Sequence, residues 1–357
     1  MNDYNYQNNS YSVEPDYYDL YTEGKLKEAR GVFSRYHLGL LFYTVAAYVA
    51  VIALEVILAL VMDPDALAKL FDNIYFQWAF SMAPMYLIGF PVLILIVRNM
   101  KTLPREKKSM KAGEFFLLFL ISQGVMFVGN MIGNTLNGVI SSILGHEITN
   151  STSELIEATP IWFVFLVVVV IGPIIEELMF RKLMIDRLGR YGDAVAIIVS
   201  AVSFGLFHGN FYQFFYAAML GFVLGYIYTK TGNVKYTILM HMIINFFGSV
   251  LVMPIIEMAA EIEEMSVILN EGGKVDMLKF VQNAMAVGTY TIVDYALVFA
   301  GIAVLITYIT GKKIKLSGTC EYKIPKERVA GTVILNVGTI LFLVMSLALF
   351  AVSIFAV

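Results

Sequence analysis

The sequence predicts an all-α fold: a polytopic bundle of eight or nine transmembrane helices. Three observations predict it. Of 357 residues, 59% are hydrophobic, against roughly 45–50% in an average soluble domain. Mean hydropathy is +0.73, and only 15% of residues are charged, too few to coat a soluble protein of this length. The apolar residues also fall into long uninterrupted runs rather than short alternating ones.

Taken in order, residues 1–36 form a polar, tyrosine-rich stretch (Tyr4, Tyr6, Tyr11, Tyr17, Tyr18, Tyr21) that reads as a flexible cytoplasmic tail rather than a signal peptide. Nine apolar segments follow, at about 37–62, 75–98, 113–145, 160–180, 193–208, 212–229, 236–256, 286–310 and 329–356. Most reach the roughly 20 residues a helix needs to cross hydrocarbon. The third has room to tilt or break near Gly133 and Gly138, and the fifth is short and glycine-punctuated, so an eight-span arrangement is the alternative to nine. The chain then divides into the tail, N-terminal membrane helices (37–158), a core (159–256), an acidic extracytoplasmic loop (257–285) and C-terminal membrane helices (286–357).

Basic residues set the orientation. With the N-terminus inside, the tail, 98–112, 181–192, 230–235 and 311–328 lie on the cytoplasmic side and hold 22 of the 25 Lys and Arg. The outer connections keep Lys69, Lys274 and Lys279 and are otherwise acidic, with Asp63, Asp65, Asp72, Glu147, Glu154, Glu157, Glu261, Glu263 and Glu264. The expected location is therefore the cell (plasma) membrane, multi-pass, with a cytoplasmic N-terminus and the lipid bilayer as first partner. Nothing in the charge pattern suits a nucleic acid. One cysteine, Cys320, excludes a disulfide framework and any multi-thiolate metal site.

Few ionisable groups then remain at membrane depth, where each costs at least ~2.5–3.5 kcal/mol unless paired or wet. Glu55 and Asp294 stand alone in their segments. The others form a pattern: Glu176, Glu177 and Arg181 close the fourth segment, Phe204 and His208 the fifth, and His241 and Asn245 open the seventh. Residues at i,i+4 share a helical face, so Glu177 pairs with Arg181, and His241 and Asn245 point into one space. Glu176, about 100° away from Glu177 around the helix, is left to face both histidines.

A carboxylate beside a neutral imidazole in a partly dry site can hold a water and take its proton. A His and an Asn side by side supply donors for an oxyanion. No covalent nucleophile is needed, and the set suits hydrolysis of a peptide bond within the membrane. Each motif has a plainer explanation: a helix-end salt bridge, a bundle hydrogen-bond donor, or polar glue between helices. Three on separate apolar segments, in a chain with four histidines, favour one shared site. Measured from the cytoplasmic ends, His208 is ~22 Å deep and His241 only ~8 Å. Continuing the fourth helix through Arg187 and tilting the fifth brings them together.

The ordered trio Glu176-Glu177-Leu178-Met179-Phe180-Arg181, Phe204-Gly205-Leu206-Phe207-His208 and His241-Met242-Ile243-Ile244-Asn245 resembles the CPBP family. That family comprises CAAX proteases (type II prenyl endopeptidases) and bacteriocin-processing enzymes, and is also called Abi. The likeness covers about residues 160–250. It implies an intramembrane glutamic endopeptidase with a catalytic core of about four helices and a peptide or membrane-protein substrate. Glu176 and His208 would activate water, His241 and Asn245 would form the oxyanion hole, and Glu177, Arg181 and Phe204 would support them. No cofactor is implied.

Rival chemistries are testable by motif. A site-2 zinc protease needs HExxH, and His146-Glu147-Ile148-Thr149-Asn150 lacks the second His. An aspartyl type lacks its second membrane Asp, and Ser203 lacks the glycines of a rhomboid-like serine. Zinc held by Glu176, His208 and His241 stays open, since two His and a carboxylate match catalytic zinc sites. So does a non-proteolytic member acting as an immunity, scaffold or carrier protein, although no internal repeat of the carrier kind is visible.

Overall fold

The computed structural model describes residues 17–316, 318 and 320–355. Among these no strand occurs, and nine long helices carry the chain: α1 (Tyr17–Val61), α2 (Ile74–Val97), α3 (Ala112–Leu144), α4 (Ile161–Tyr191), α5 (Asp193–Phe207), α6 (Phe211–Thr231), α7 (Val234–Asn270), α8 (Met277–Thr310) and α9 (Val337–Phe355). Eight are long and apolar enough to cross a membrane, and the chain is an integral multi-pass membrane protein. The exception is α5, whose 15 residues span about 22 Å, short of the ~30 Å hydrocarbon core. It turns back into α6 at Gly209, whose φ of +67° suits a residue without a Cβ.

Three sequence expectations need correction. Residues 17–36 are not tail but the first half of α1. A stripe of Leu26, Ala29, Phe33, Tyr36 and Leu40, each fully buried, lies at alternating three- and four-residue steps and packs that half into the core. Among the polar residues of this half, Tyr21, Glu23, Lys27 and Arg35 are exposed. The tyrosines numbered 4, 6 and 11 lie outside the described residues. The acidic loop 257–285 is mostly helix as well: α7 continues to Asn270 and α8 begins at Met277. There Glu261 binds Lys279 at 2.9 Å and Asn283 at 2.6 Å. Finally, α3 runs unbroken through Gly133 and Gly138. Gly129 and Gly133 sit against the backbone of Phe215, Tyr216 and Phe211, so their missing side chains bring α3 and α6 close rather than break the helix.

The basic connections do gather at one end. Leu103 N–H donates to Asp186 O, Lys108 N–H to Thr231 O and Glu321 N–H to Arg190 O. Arg105 binds Asp193 at 2.7 Å, Arg190 bridges Glu28 and Glu321, and Lys230 pairs with Glu114. Glu321, outside the membrane helices, has its carboxyl held below the usual range by the Arg190 guanidinium beside it.

Several helices widen into π turns, and proline explains most of them. Met85–Gly89 lies between Pro84 and Pro91, Phe165–Ile171 precedes Pro173, and Phe246–Leu251 precedes Pro254. Each proline lacks the N–H that would bond four residues back, and the freed carbonyl lets the turn expand. A fourth π stretch, Leu178–Ile185, has no proline. Instead Tyr36 Oη donates to Met179 O at 2.6 Å and Ser200 Oγ to Phe180 O at 2.7 Å. Side-chain hydroxyls thus satisfy carbonyls inside a bilayer that offers no water. One buried cluster joins α1, α2, α4, α5 and α9 through Tyr36, Tyr43, Leu93, Val97, Met179, Phe180, Phe204 and Phe342, and a second lies between α3, α6 and α7. His37 fastens the first: its Nε2 lies 3.1 Å from Ser203 Oγ and its Nδ1 2.8 Å from Thr339 Oγ1, linking α1, α5 and α9.

Candidate active site

The unbroken course of α4 resolves the depth problem posed by the sequence. Glu176 stands midway between Ile161 and Tyr191, about 22 Å from each end at 1.5 Å per residue. Neighbouring carboxylates on this helix meet different surroundings. The Glu177 side chain is 0% exposed and that of Glu176 22%. Glu177 forms an ion pair with Arg181 one turn along, Nε and Oε2 lying 3.1 Å apart, and Arg181 is itself wholly buried. A buried carboxylate persists only when such partners replace its water.

His241 reaches the same carboxylate from α7, its Nδ1 3.0 Å from Glu177 Oε1. Thr237, one turn earlier on α7, also lies beside Glu177. The other imidazole nitrogen, Nε2, is 3.7 Å from Glu176 Oε2. The sequence reading paired Glu177 with Arg181 and set both histidines facing Glu176; it did not foresee the contact of His241 with Glu177. The imidazole instead lies between the two carboxylates. Since Glu177 can only accept, the proton sits on Nδ1, and Nε2 donates only when the ring is protonated.

Phe204 explains the aromatic position of the FxxxH motif. Its ring lies 5.1 Å from the His208 ring and 5.8 Å from that of His241, both edge-on. The Arg181 guanidinium sits over its face at 4.5 Å, and Phe180 packs at 5.2 Å. Phe204 thus spaces the two imidazoles and covers the buried cation. His208 closes α5 and lies within the electrostatic reach of Glu176, His241 and Arg181. Asn245 follows His241 by one turn, and its Nδ2 donates to Val168 O at 2.9 Å. That carbonyl belongs to the π stretch of α4, which leaves the second amide N–H of Asn245 available. Glu55 is exposed on α1, and Asp294 is half-buried on α8. Among the described residues no three His, Cys, Asp or Glu side chains are grouped to hold a metal ion.

Comparison with known proteins converges on this stretch. The family described as type II CAAX prenyl endopeptidase Rce1-like matches residues 158–247, which hold all three motifs and α4, α5, α6 and the start of α7. That match supports the CPBP assignment suggested by the motifs. The chain is also 25% identical over 169 residues to "Putative membrane peptidase YdiL" of Bacillus subtilis (strain 168), an alignment covering 43% of this chain. The chain spans 65% of that relative's length. No solved structure matches it.

Beyond the CPBP segment, α1 and α2 also reach the site, which the motifs did not reveal. Tyr43 and Tyr86 lie close enough to Glu176 to feel its charge. Tyr216 of α6 does too, its hydroxyl accepting from Gln213 Nε2 at 3.2 Å. Thr237 had a signal in the sequence, the i,i+4 spacing to His241. The two tyrosines from α1 and α2 had none, because only tertiary packing brings them to α4.

Proposed function

We propose that this protein is an intramembrane endopeptidase that hydrolyses a peptide bond of a membrane-associated or lipidated protein or peptide. One observation carries the reading: a half-buried carboxylate, Glu176, stands mid-helix beside His241 and within electrostatic reach of His208, while its neighbour Glu177 is committed to Arg181 and His241. Two adjacent carboxylates in such different environments have separate duties, one structural and one free to move a proton.

In this reading a water hydrogen-bonded by Glu176 and His208 attacks the scissile carbonyl carbon as Glu176 takes its proton. The carbonyl oxygen, now an oxyanion, accepts from the free Nδ2–H of Asn245 and from Nε2–H of protonated His241. The C–N bond then breaks as the nitrogen takes the proton held by Glu176, giving a carboxylic acid and an amine and returning the site to its starting state. Glu177 and Arg181 fix the His241 ring and its Nδ1 proton, as an orienting carboxylate does in other His-dependent hydrolases. The charge pattern supports placing the basic end, with the N-terminus, on the cytoplasmic face of the cell membrane.

The test compares new protein N-termini in host membranes expressing wild type or Glu176→Gln. Termini present only with wild type are expected and would name substrates. Identical profiles from two stably expressed proteins would replace this reading with a binding role.

A further inference from the structure

Two adjacent residues of α1, Tyr36 and His37, lie outside the CPBP segment and belong to none of its motifs, yet both bond to the helices that carry the site. Tyr36 Oη donates to Met179 O of α4 at 2.6 Å. His37 Nε2 lies 3.1 Å from Ser203 Oγ of α5, and its Nδ1 lies 3.0 Å from Phe33 O and 2.8 Å from Thr339 Oγ1. Phe33 O can only accept, so the proton of the neutral ring is on Nδ1 and the Ser203 hydroxyl donates to Nε2. Ser200, one turn before Ser203 on α5, donates to Phe180 O of α4 at 2.7 Å. These bonds close a circuit through α1, α4 and α5, and Tyr36, His37, Ser200 and Ser203 are each at most 3% exposed.

The circuit lies where the candidate site is most sensitive to it. Met179 and Phe180 follow Glu176 and Glu177 by three residues, in the π stretch Leu178–Ile185 that no proline explains. A π turn takes in about one residue more than an α turn, so its relaxation would rotate Glu176 by about 100° against the end of α4. Ser203 immediately precedes Phe204, whose ring lies edge-on to both His208 and His241, so a twist of α5 reaches both imidazoles. Adhesion does not require the polar groups, because Leu26, Ala29, Phe33 and Leu40 already bury α1 in the core. Phenylalanine and alanine would fill the same space without a polar group to satisfy, so packing alone does not account for the hydroxyls.

We propose that Tyr36, His37, Ser200 and Ser203 are positioning residues that form one hydrogen-bonded brace. The brace holds the π turn of α4 open and fixes the rotation of α5, and so sets where Glu176 stands relative to His208 and His241. A misplacement of about 1 Å costs of order 10² in rate, so bonds of modest energy have a large effect on turnover. Half of the brace comes from α1, which thereby becomes part of the working geometry and not merely a membrane anchor for the CPBP segment. The catalytic part of this assignment rests on the proposed proteolysis, and the test separates the two.

The full-length protein in lipid nanodiscs is compared as wild type, Tyr36→Phe, Ser203→Ala, the double variant and Ser346→Ala. Ser346 is equally buried, but its hydroxyl donates to Phe342 O within α9, so its loss removes a hydroxyl outside the brace. Nitrogen-15 labelling of the four histidines gives a readout that needs no substrate. The His208 and His241 imidazole resonances, assigned with His208→Gln and His241→Gln, should shift in Tyr36→Phe and Ser203→Ala and stay in place in Ser346→Ala. Activity is read on a quenched fluorescent peptide spanning a cleavage site found in the membrane comparison above. Each brace variant should lose about tenfold in kcat with KM within about twofold, and Ser346→Ala should cleave at the wild-type rate. A wild-type protein that cleaves nothing overturns proteolysis, while the resonances still decide the brace. Resonances that stay in place in both brace variants, equal shifts in Ser346→Ala, or a double variant with wild-type kcat would make the hydroxyls plain helix glue and overturn the positioning role.

Discussion

Replacing Arg181 by Ala tests the electrostatic design of the site. Arg181 and Glu177 are both fully buried, with Nε and Oε2 3.1 Å apart. Removing the cation leaves Glu177 with His241 as its main partner, and stranding one half of a buried pair costs about 3–5 kcal/mol. The Phe204 ring also loses the cation lying 4.5 Å over it. At roughly 2–4 °C per kcal/mol, Arg181→Ala should melt about 6–20 °C below wild type, read by intrinsic fluorescence in lipid nanodiscs. Removing both charges, with Glu177→Gln and Arg181→Met together, should recover most of that loss, because two neutral groups of similar volume no longer need each other. Activity should not return in the double variant, since the carboxylate that fixes the Nδ1 proton of His241 is gone. Arg181→Ala melting within 2 °C of wild type, or a double variant no more stable than Arg181→Ala, would refute the reasoning.

Other consequences follow from the same geometry. Asn245→Ala should lower turnover by about 10²–10³ as an oxyanion donor is lost, and a near-normal rate would remove it from that role. Gly338→Ala should lower the melting temperature, because a Cβ there collides with the backbone of Ser34 on α1; unchanged melting would mean that α1 and α9 part freely. Cleavage should survive 1,10-phenanthroline, whereas loss of activity reversed by added zinc would make zinc the catalyst.

Much of the candidate site was legible because lipid makes polar residues conspicuous. Glu176, Glu177, His208, His241 and Asn245 stand out in apolar runs, and the i,i+4 spacing alone gave the pair of Glu177 with Arg181. The spacing could not say that His241 would reach across to Glu177, because that contact depends on how α7 meets α4, bent by π turns that follow from Pro173 and Pro254. Hydropathy located the membrane helices well and their ends poorly. It reports what faces lipid, so residues 17–36 and 257–270, helical but polar on one side, read as tail and loop. The buried stripe from Leu26 to Leu40 was visible in the spacing and outweighed by the surrounding polarity. Tyr43 and Tyr86 were beyond reach, since an aromatic in a membrane helix is ordinary until its neighbours are known.

The central claim is that Glu176 directs water at a peptide bond without a covalent intermediate. Its most direct test is a single-turnover reaction of purified protein with the substrate peptide, quenched in acid and weighed by intact-protein mass spectrometry. The account predicts cleaved peptide, an enzyme of unchanged mass at every time point, and no product from Glu176→Gln. An acyl adduct on the enzyme, or undiminished cleavage by Glu176→Gln, would contradict it.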